Sequence, residues 1–395
     1  MDAHFWGPAA HTTVLLPADN LKTIARRKRA NIGPMESALA HPHRPETAVR
    51  HDIPSLDGLR ALAIAIVILS HTSSLLPAKL VSSGLYRYLI GGGLHGVQVF
   101  FVISGFLITT LLLREFQLMR DISLRRFYAR RTLRIFPPFY VYLAVLLLLW
   151  ITGLHPQDLS TFVSAATYTI TYHPHPQGWL LQHAWSLSIE EQFYLLWPAI
   201  LLATIRRGIA TRLAIIVLLS MPIVRAILFV AFGHDQRLIV NCSSVDMLIA
   251  GCLLALAAEN RDWQRWNRRW ITAWSAAGLA ALGLVIAPYA DAKLVRTPLA
   301  VVCVALTYSI TALAIAAGLQ YVVRDPKSIA GKVLNLRLVR HLGVISYSIY
   351  LWQQLFTENP ASFGVLTYAL ILIAAELSFW LIERPIMQLR AHLAL

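Results

Sequence analysis

The chain has 395 residues, of which 57% are hydrophobic and only 14% charged, with a mean hydropathy of +0.58. Soluble domains run at about 45–50% apolar and about 25% charged residues, so this composition excludes an ordinary soluble globular protein. A net charge of +15 raises nucleic acid as a partner, but the distribution of that charge answers to a lipid bilayer instead.

Residues 1–50 read as a flexible basic tail. It holds RRKR at 26–29 among scattered Pro and His and has no apolar run long enough for a signal-peptide core. Such a cluster suits anionic lipid headgroups. Met35 is an alternative start. Residues 51–390 read as one membrane-embedded domain.

Within that domain, apolar runs of roughly 20 residues, the length that spans a bilayer, predict an all-α, polytopic transmembrane helix bundle of about ten spans. They are Leu59–Pro77, Gly93–Leu113, Ile135–Gly153, Ala184–Ile205, Leu213–Phe232, Val245–Ala258, Ile271–Pro288, Pro298–Val322, Gly343–Phe356 and Phe363–Ile382. With both termini cytoplasmic, the inside segments carry 29 Lys and Arg residues and the outside segments five, with Arg225 inside a span. That asymmetry is the positive-inside rule. It predicts a multi-pass protein of the cytoplasmic (inner) membrane, with no nucleic-acid partner. Cys242, Cys252 and Cys303 form neither a disulfide framework nor a metal spacing.

In chain order, the first span contains RALAIAIVILSH, with Arg60 and His71 bracketing ten uncharged residues. Eleven helical steps return to within about 20° of the starting bearing, so Arg60 and His71 share a face about 16 Å apart along the axis. A histidine at that depth is either a packing residue or a proton-transfer group. GGGLHG at 91–96 has no strand before it, which argues for close helix packing rather than a dinucleotide fingerprint.

The stretch LRRFYARRTLRIFPP, in the longest inside loop, repeats Arg126, Arg130 and Arg134 every four residues beside Arg125 and Arg131. Dense arginines either anchor a positive loop or bind a polyphosphate through forked hydrogen bonds. On the outer side, His173, His175 and His183 lie close in sequence, with no carboxylate or cysteine near enough to complete a metal site. HAWSLSIEEQFYLLWP then sends a polar stripe of Ser186, Glu190 and Tyr194 into an apolar helix. Glu190 or Glu191 could orient an imidazole or bind an acceptor hydroxyl. Arg225, Asp246 and Glu376 are further charges inside spans, open to interhelical pairing.

Taken in this order, the motifs resemble the acyltransferase 3 family of integral membrane acyltransferases, from about Ser55 to Pro385. LDGLRALAIAIVILSH resembles its opening arginine–histidine motif, and GVQVFFVISGFLIT its second-helix signature. FYARRTLRIFP is similar to its Arg-x-x-Arg motif, carried by Arg131 and Arg134, and HAWSLSIEEQFYLLWP has Glu190 in the acidic position. SSVDMLIAGCLLA, ISYSIYLW and IERP resemble its later markers. There are departures. After YLW the family commonly has histidine where this chain has Gln353 and Gln354, the fused extracytoplasmic esterase-like domain of some members is missing from this sequence, and the long N-terminal tail is not part of the family pattern.

The resemblance implies transfer of an acyl group, often acetyl, from cytoplasmic acyl-CoA to a hydroxyl of a glycan or other acceptor. On that reading Arg60, Arg131 and Arg134 dock the CoA phosphates, and no metal takes part. His71 is the general base and Glu190 its orienting partner, with a covalent acyl-histidine as the alternative. Trp185, Ser186 and Asp246 line the substrate path. The competing class is a membrane transporter or flippase for a glycan or lipid, without acyl transfer.

Overall fold

The computed structural model describes residues 53, 55–91, 93–232, 236–259 and 297–392. Every regular element among them is helical, and no strand is present. In chain order the α-helices are α1 (Leu56–His71), α2 (Ala78–Val81), α3 (Gly84–Leu89), α4 (Leu94–Met119), α5 (Leu124–Ile151), α6 (Leu159–Ala166), α7 (Ala184–Ile205) and α8 (Ala210–Phe232). They continue with α9 (Gln236–Ala258), α10 (Pro298–Arg324), α11 (Ile329–Leu334), α12 (Arg337–Val344), α13 (Ser346–Thr357), α14 (Leu366–Ser378) and α15 (Arg384–His392). A π-helical turn, Phe379–Glu383, joins the last two.

Six helices among the described residues are long and apolar enough to cross a membrane: Leu94–Met119, Leu124–Ile151, Ala210–Phe232, Leu238–Ala258, Pro298–Arg324 and Leu366–Leu389. They coincide with six of the ten expected spans. The expected Ile271–Pro288 lies outside the described residues. Three others take different forms. The first stops at His71 with 16 residues, about 24 Å. The span over Ala184–Ile205 is one 22-residue helix with Glu190 and Glu191 inside it. The run at Gly343–Phe356 divides at Ile345, between α12 and α13.

A second difference concerns the arginine stretch, expected in a loop. Ser123 caps α5 by accepting the Arg126 amide, and the helix then runs without a break through Arg131, Arg134 and the Pro137–Pro138 pair. The arginines are thereby fixed on the same rigid rod as the apolar span.

Enclosure separates the core from the rim. In α4 and α9, 67% and 61% of the apolar window is buried, against 22% in α8, so the first two form the centre and α8 the lipid-facing edge. Glycine lets the central pair meet backbone to backbone. A Cβ on Gly105 would fall 2.0 Å from the Leu248 carbonyl oxygen, and one on Gly251 would fall 2.1 Å from that of Val102. This is the small-residue packing expected where lipid supplies no hydrophobic drive. Gly96, in the GGGLHG run, likewise allows α4 to touch the Ala63 carbonyl of α1.

The other end of α1 is pinned by hydrogen bonds. Ser55, in the left-handed region at φ 66°, donates its amide to Asn335 Oδ1 at 3.0 Å, and Asn335 Nδ2 donates back to Ser55 Oγ at 2.9 Å. A buried ion pair ties the edge helix α8 to the central α9. Arg225 of α8 meets Asp246 of α9 and donates to the Ala305 carbonyl and Ser309 Oγ of α10. Arg225 and Asp246 are both fully buried.

Candidate active site

Arg60 lies in the second turn of α1 and His71 is its last residue. Their shared face leads to a different cavity at each end.

At the Arg60 end, α1, α4, α5, α7 and α13 enclose a cavity of about 80 Å³ lined by Arg60, Arg131, Arg134, Glu190 and Glu191, with Ser186 in its wall. Arg131 and Arg134 are three residues apart on α5, so both can face one ligand. The Arg131 guanidinium stacks 3.8 Å from the centre of the Tyr194 ring, and its Nε is buried without a protein partner. Tyr194 donates to Ser104 Oγ at 3.0 Å, and Ser104 donates to Glu190 Oε1 at 2.6 Å. Arg60 has Asp57 at 3.9 Å. Three guanidinium groups outnumber two carboxyls here. Clefts of one dominant sign with low-dielectric walls draw in the opposite charge, so an anion is favoured. Arginine forks match phosphate in shape as well as sign.

At the His71 end lies a cavity of about 550 Å³, walled by α1, the start of α4, the segment 170–185, α9 and α13. Among the described residues no Asp, Glu, Lys or Arg lines it. His71 Nδ1 sits 2.9 Å from Gln353 Oε1, which also accepts Thr357 Oγ1 at 3.1 Å. A carboxamide oxygen accepts and does not donate, so with the amide in this orientation Nδ1 carries the proton and Nε2 is the basic nitrogen. The imidazole stands edge-on to Trp179, ring centres 5.0 Å apart. Trp185 also lines this cavity.

The two cavities have Val97 and Tyr350 in common, and no other described residue lines both. Tyr350 is held hard in place. Its hydroxyl lies 2.6 Å from Ser186 Oγ and 3.2 Å from the His183 carbonyl, and its ring meets Phe100 and His183 edge-on at 6.2 and 5.5 Å.

The residues singled out by sequence therefore divide. Arg60, Arg131, Arg134, Glu190 and Ser186 come together at one end, and His71 and Trp185 at the other. Glu190 is not the partner of His71. Helix α1 runs from Arg60 toward His71, whereas α7 enters at the histidine cavity with His183 and Trp185 and reaches Glu190 about 10 Å further along. Glu190 thus stands level with the arginines, and Gln353 holds the imidazole.

Asp246 lines neither cavity, because Arg225 and Ser309 take its carboxylate. The arginine stripe splits too. Arg130 turns to Glu115 at 3.4 Å and Arg126 is exposed, leaving Arg134 facing inward with Arg131. The outer histidines do not converge. His173 Nε2 lies 3.0 Å from Ser160 Oγ, whereas the His183 ring is buried with both nitrogens unpartnered. Among the described residues no group of three or more His, Cys, Asp and Glu side chains is placed to hold a metal.

A helical membrane bundle with an arginine cavity and a histidine cavity along one helix face is the class of protein that fold and site define. The sequence model of the acyltransferase 3 family, described as an acyltransferase domain, matches residues 53–382. The chain belongs to this family. Among curated proteins it is similar to the peptidoglycan O-acetyltransferase OatA of Listeria monocytogenes, 28% identical over 376 residues, covering 85% of this chain and 56% of that protein. It is also similar to the O-acetyltransferase OatA of Staphylococcus aureus, 27% identical over 369 residues, covering 85% and 57%. The chain thus spans a little over half the length of these relatives. No solved structure matches it.

Proposed function

We propose that the chain is an O-acetyltransferase of the cytoplasmic membrane that moves an acetyl group from acyl-CoA to a hydroxyl of a cell-surface glycan. The observation that carries this reading is the pair of neighbouring cavities with Val97 and Tyr350 in both linings, one rich in arginine and the other holding a histidine with one basic nitrogen. The glycan acceptor is suggested by the names of the relatives, peptidoglycan O-acetyltransferase among them. The positive-inside distribution supports a cytosolic arginine end, on the side where acyl-CoA is found, with both termini on that side.

In this reading the donor phosphates engage Arg60, Arg131 and Arg134, and the buried Nε of Arg131 gains the acceptor that it lacks. Glu190 and Tyr194, linked through Ser104, fix the surroundings of Arg131. The pantetheine arm follows the face of α1 over the ~16 Å to His71. His71 Nε2 takes the proton of the acceptor hydroxyl, whose oxygen attacks the thioester carbonyl carbon. The C–S bond breaks, and the proton passes from His71 to the departing thiolate. Gln353 keeps the imidazole in the required tautomer, as an orienting partner does in a base–orienter pair.

The test uses the purified full chain with acetyl-CoA labelled in the acetyl group and an N-acetylglucosamine oligomer as acceptor. Label in the oligomer together with free CoA supports the proposal. Label trapped on His71 before acceptor is added identifies the two-step route through acyl-histidine. If neither label transfer nor CoA release occurs, while reconstituted vesicles move the oligomer across the bilayer, the protein is a transporter.

A further inference from the structure

The cavity that holds His71 also carries polar atoms for which the transfer step has no use. His183, immediately before α7, and Gln354 of α13 both line it and are 3% and 2% exposed. Both ring nitrogens of His183 and Oε1 of Gln354 are buried without a protein partner. Other polar side chains in the same lining are already paired, Thr171 Oγ1 donating to Asn241 Oδ1 at 2.7 Å. A buried donor or acceptor left unmade costs its full desolvation, so native proteins keep few of them. Two such side chains lining one cavity call for a polar ligand.

Packing fixes where they sit. The His183 ring stands edge-on to Tyr142 and Tyr350, with ring centres 5.4 and 5.5 Å away, and its carbonyl accepts from Ser186 Oγ at 3.0 Å. Gln354 follows Tyr350 by one helical turn, so the carboxamide and the imidazole border the same tyrosine. The adjacent Gln353 holds His71. The unpartnered atoms therefore lie on the same elements that position the base.

A neutral imidazole has one donor and one acceptor nitrogen in either tautomer, and a carboxamide oxygen accepts. A hydroxyl both donates and accepts, so it can serve both side chains at once. A simple alcohol offers only the hydroxyl that reacts, whereas a sugar offers others. Among the described residues no charged side chain lines this cavity to pair with an ionised acceptor.

Resting on the acetyl-transfer reading, we propose that His183 and Gln354 form an acceptor-binding pair. They hold a second, non-reacting hydroxyl of an uncharged sugar while His71 takes the proton of the first.

The experiment uses the purified full chain and an N-acetylglucosamine oligomer. Calorimetric titration of the oligomer without donor reads Kd, and steady-state kinetics with acetyl-CoA read both KM values. His183→Phe keeps a ring against Tyr142 and Tyr350 and removes the nitrogens. It should raise oligomer Kd and acceptor KM by about 2–12-fold, the equivalent of one neutral hydrogen bond, with donor KM unchanged. It should melt no earlier than the wild type, because it removes buried polar atoms that have no protein partner. Gln354→Met, similar in length but without the carboxamide, should weaken acceptor binding in the same way and covers the case in which His183→Phe fails to fold. An unchanged oligomer Kd in a folded variant overturns the pair, and so does a donor KM that rises in step with the acceptor KM. A wild type that does not bind the oligomer also overturns it. A wild type that binds the oligomer but transfers no acetyl group overturns the acetyl-transfer reading instead, and the Kd comparison still decides the pair.

Discussion

The two cavities differ in what their walls leave unpaid for a ligand to complete. Around Arg131 the protein concentrates charge and then leaves a guanidinium nitrogen unpartnered. Around His71 no charged side chain lines the cavity among the described residues, and the imidazole has a neutral partner, Gln353. A charge-rich pocket grips an anion firmly, and a neutral pocket lets an imidazole stay uncharged and basic. Keeping both chemistries in one bundle requires separating them, and α1 does so with eleven residues of helix.

If this division of labour is right, His71→Ala gives the largest effect. Acetyl transfer should fall by about 10²–10⁴-fold, the usual contribution of a general base, with donor KM little changed. A steady-state comparison of kcat and KM in purified protein checks this. A variant that loses donor affinity instead would merge the two cavities into one functional unit.

The Arg225–Asp246 pair belongs to neither cavity, so breaking it should damage the fold and not the chemistry. Removing one partner of a buried ion pair typically costs about 3–5 kcal/mol. Arg225→Ala should therefore lower the midpoint of thermal unfolding in detergent markedly, and adding Asp246→Ala should recover part of the loss. A double variant as unstable as the sum of the two single variants would count against direct pairing.

Arg131→Ala should raise donor KM by roughly 10–150-fold, the equivalent of one charge-assisted hydrogen bond of about 1.5–3 kcal/mol. Arg131→Lys should rescue this poorly, because an ammonium lacks the fork. Gln353→Leu comes next. Loss of one neutral hydrogen bond should reduce kcat by about 2–12-fold at unchanged donor KM.

The smallest effect is expected at Asp158, which caps α6 and lines neither cavity. Its carboxyl is held down from 3.8 to about 2 by hydrogen bonds from Ser160, the Thr161 hydroxyl and the Thr161 amide. A lowered folded-state value adds stability above the unfolded value and loses it as pH falls through the folded one. Asp158→Ala should thus melt slightly earlier than wild type at neutral pH, and the two melting curves should converge as pH drops from 3.8 toward 2.

Much of this was legible in the residues themselves. Apolar run lengths anticipate the six helices long enough to cross a membrane, and helical phasing alone puts Arg60 and His71 on one face. Arg131 and Arg134 stand out by density. The height of Glu190 was not legible, because it depends on the direction in which α7 passes α1, and no local pattern encodes that. Nor does composition reveal which of two buried carboxylates is already taken. Asp246 looks available in sequence and is consumed by an arginine 21 residues earlier. Gln353 stood out only as a departure, and its contact with His71 depends on α13 packing beside α1.

The Arg225–Asp246 contact also bears on how the chain enters the bilayer. Each of these charges alone costs about 2.5–3.5 kcal/mol at the centre of a span. Helices α8 and α9 are consecutive, so the pair can form within a single helical hairpin before α10 arrives to add Ser309 and the Ala305 carbonyl. The order of emergence from the ribosome then matters: a chain arrested between α8 and α9 exposes an uncompensated arginine to lipid, and one carried past Asp246 does not.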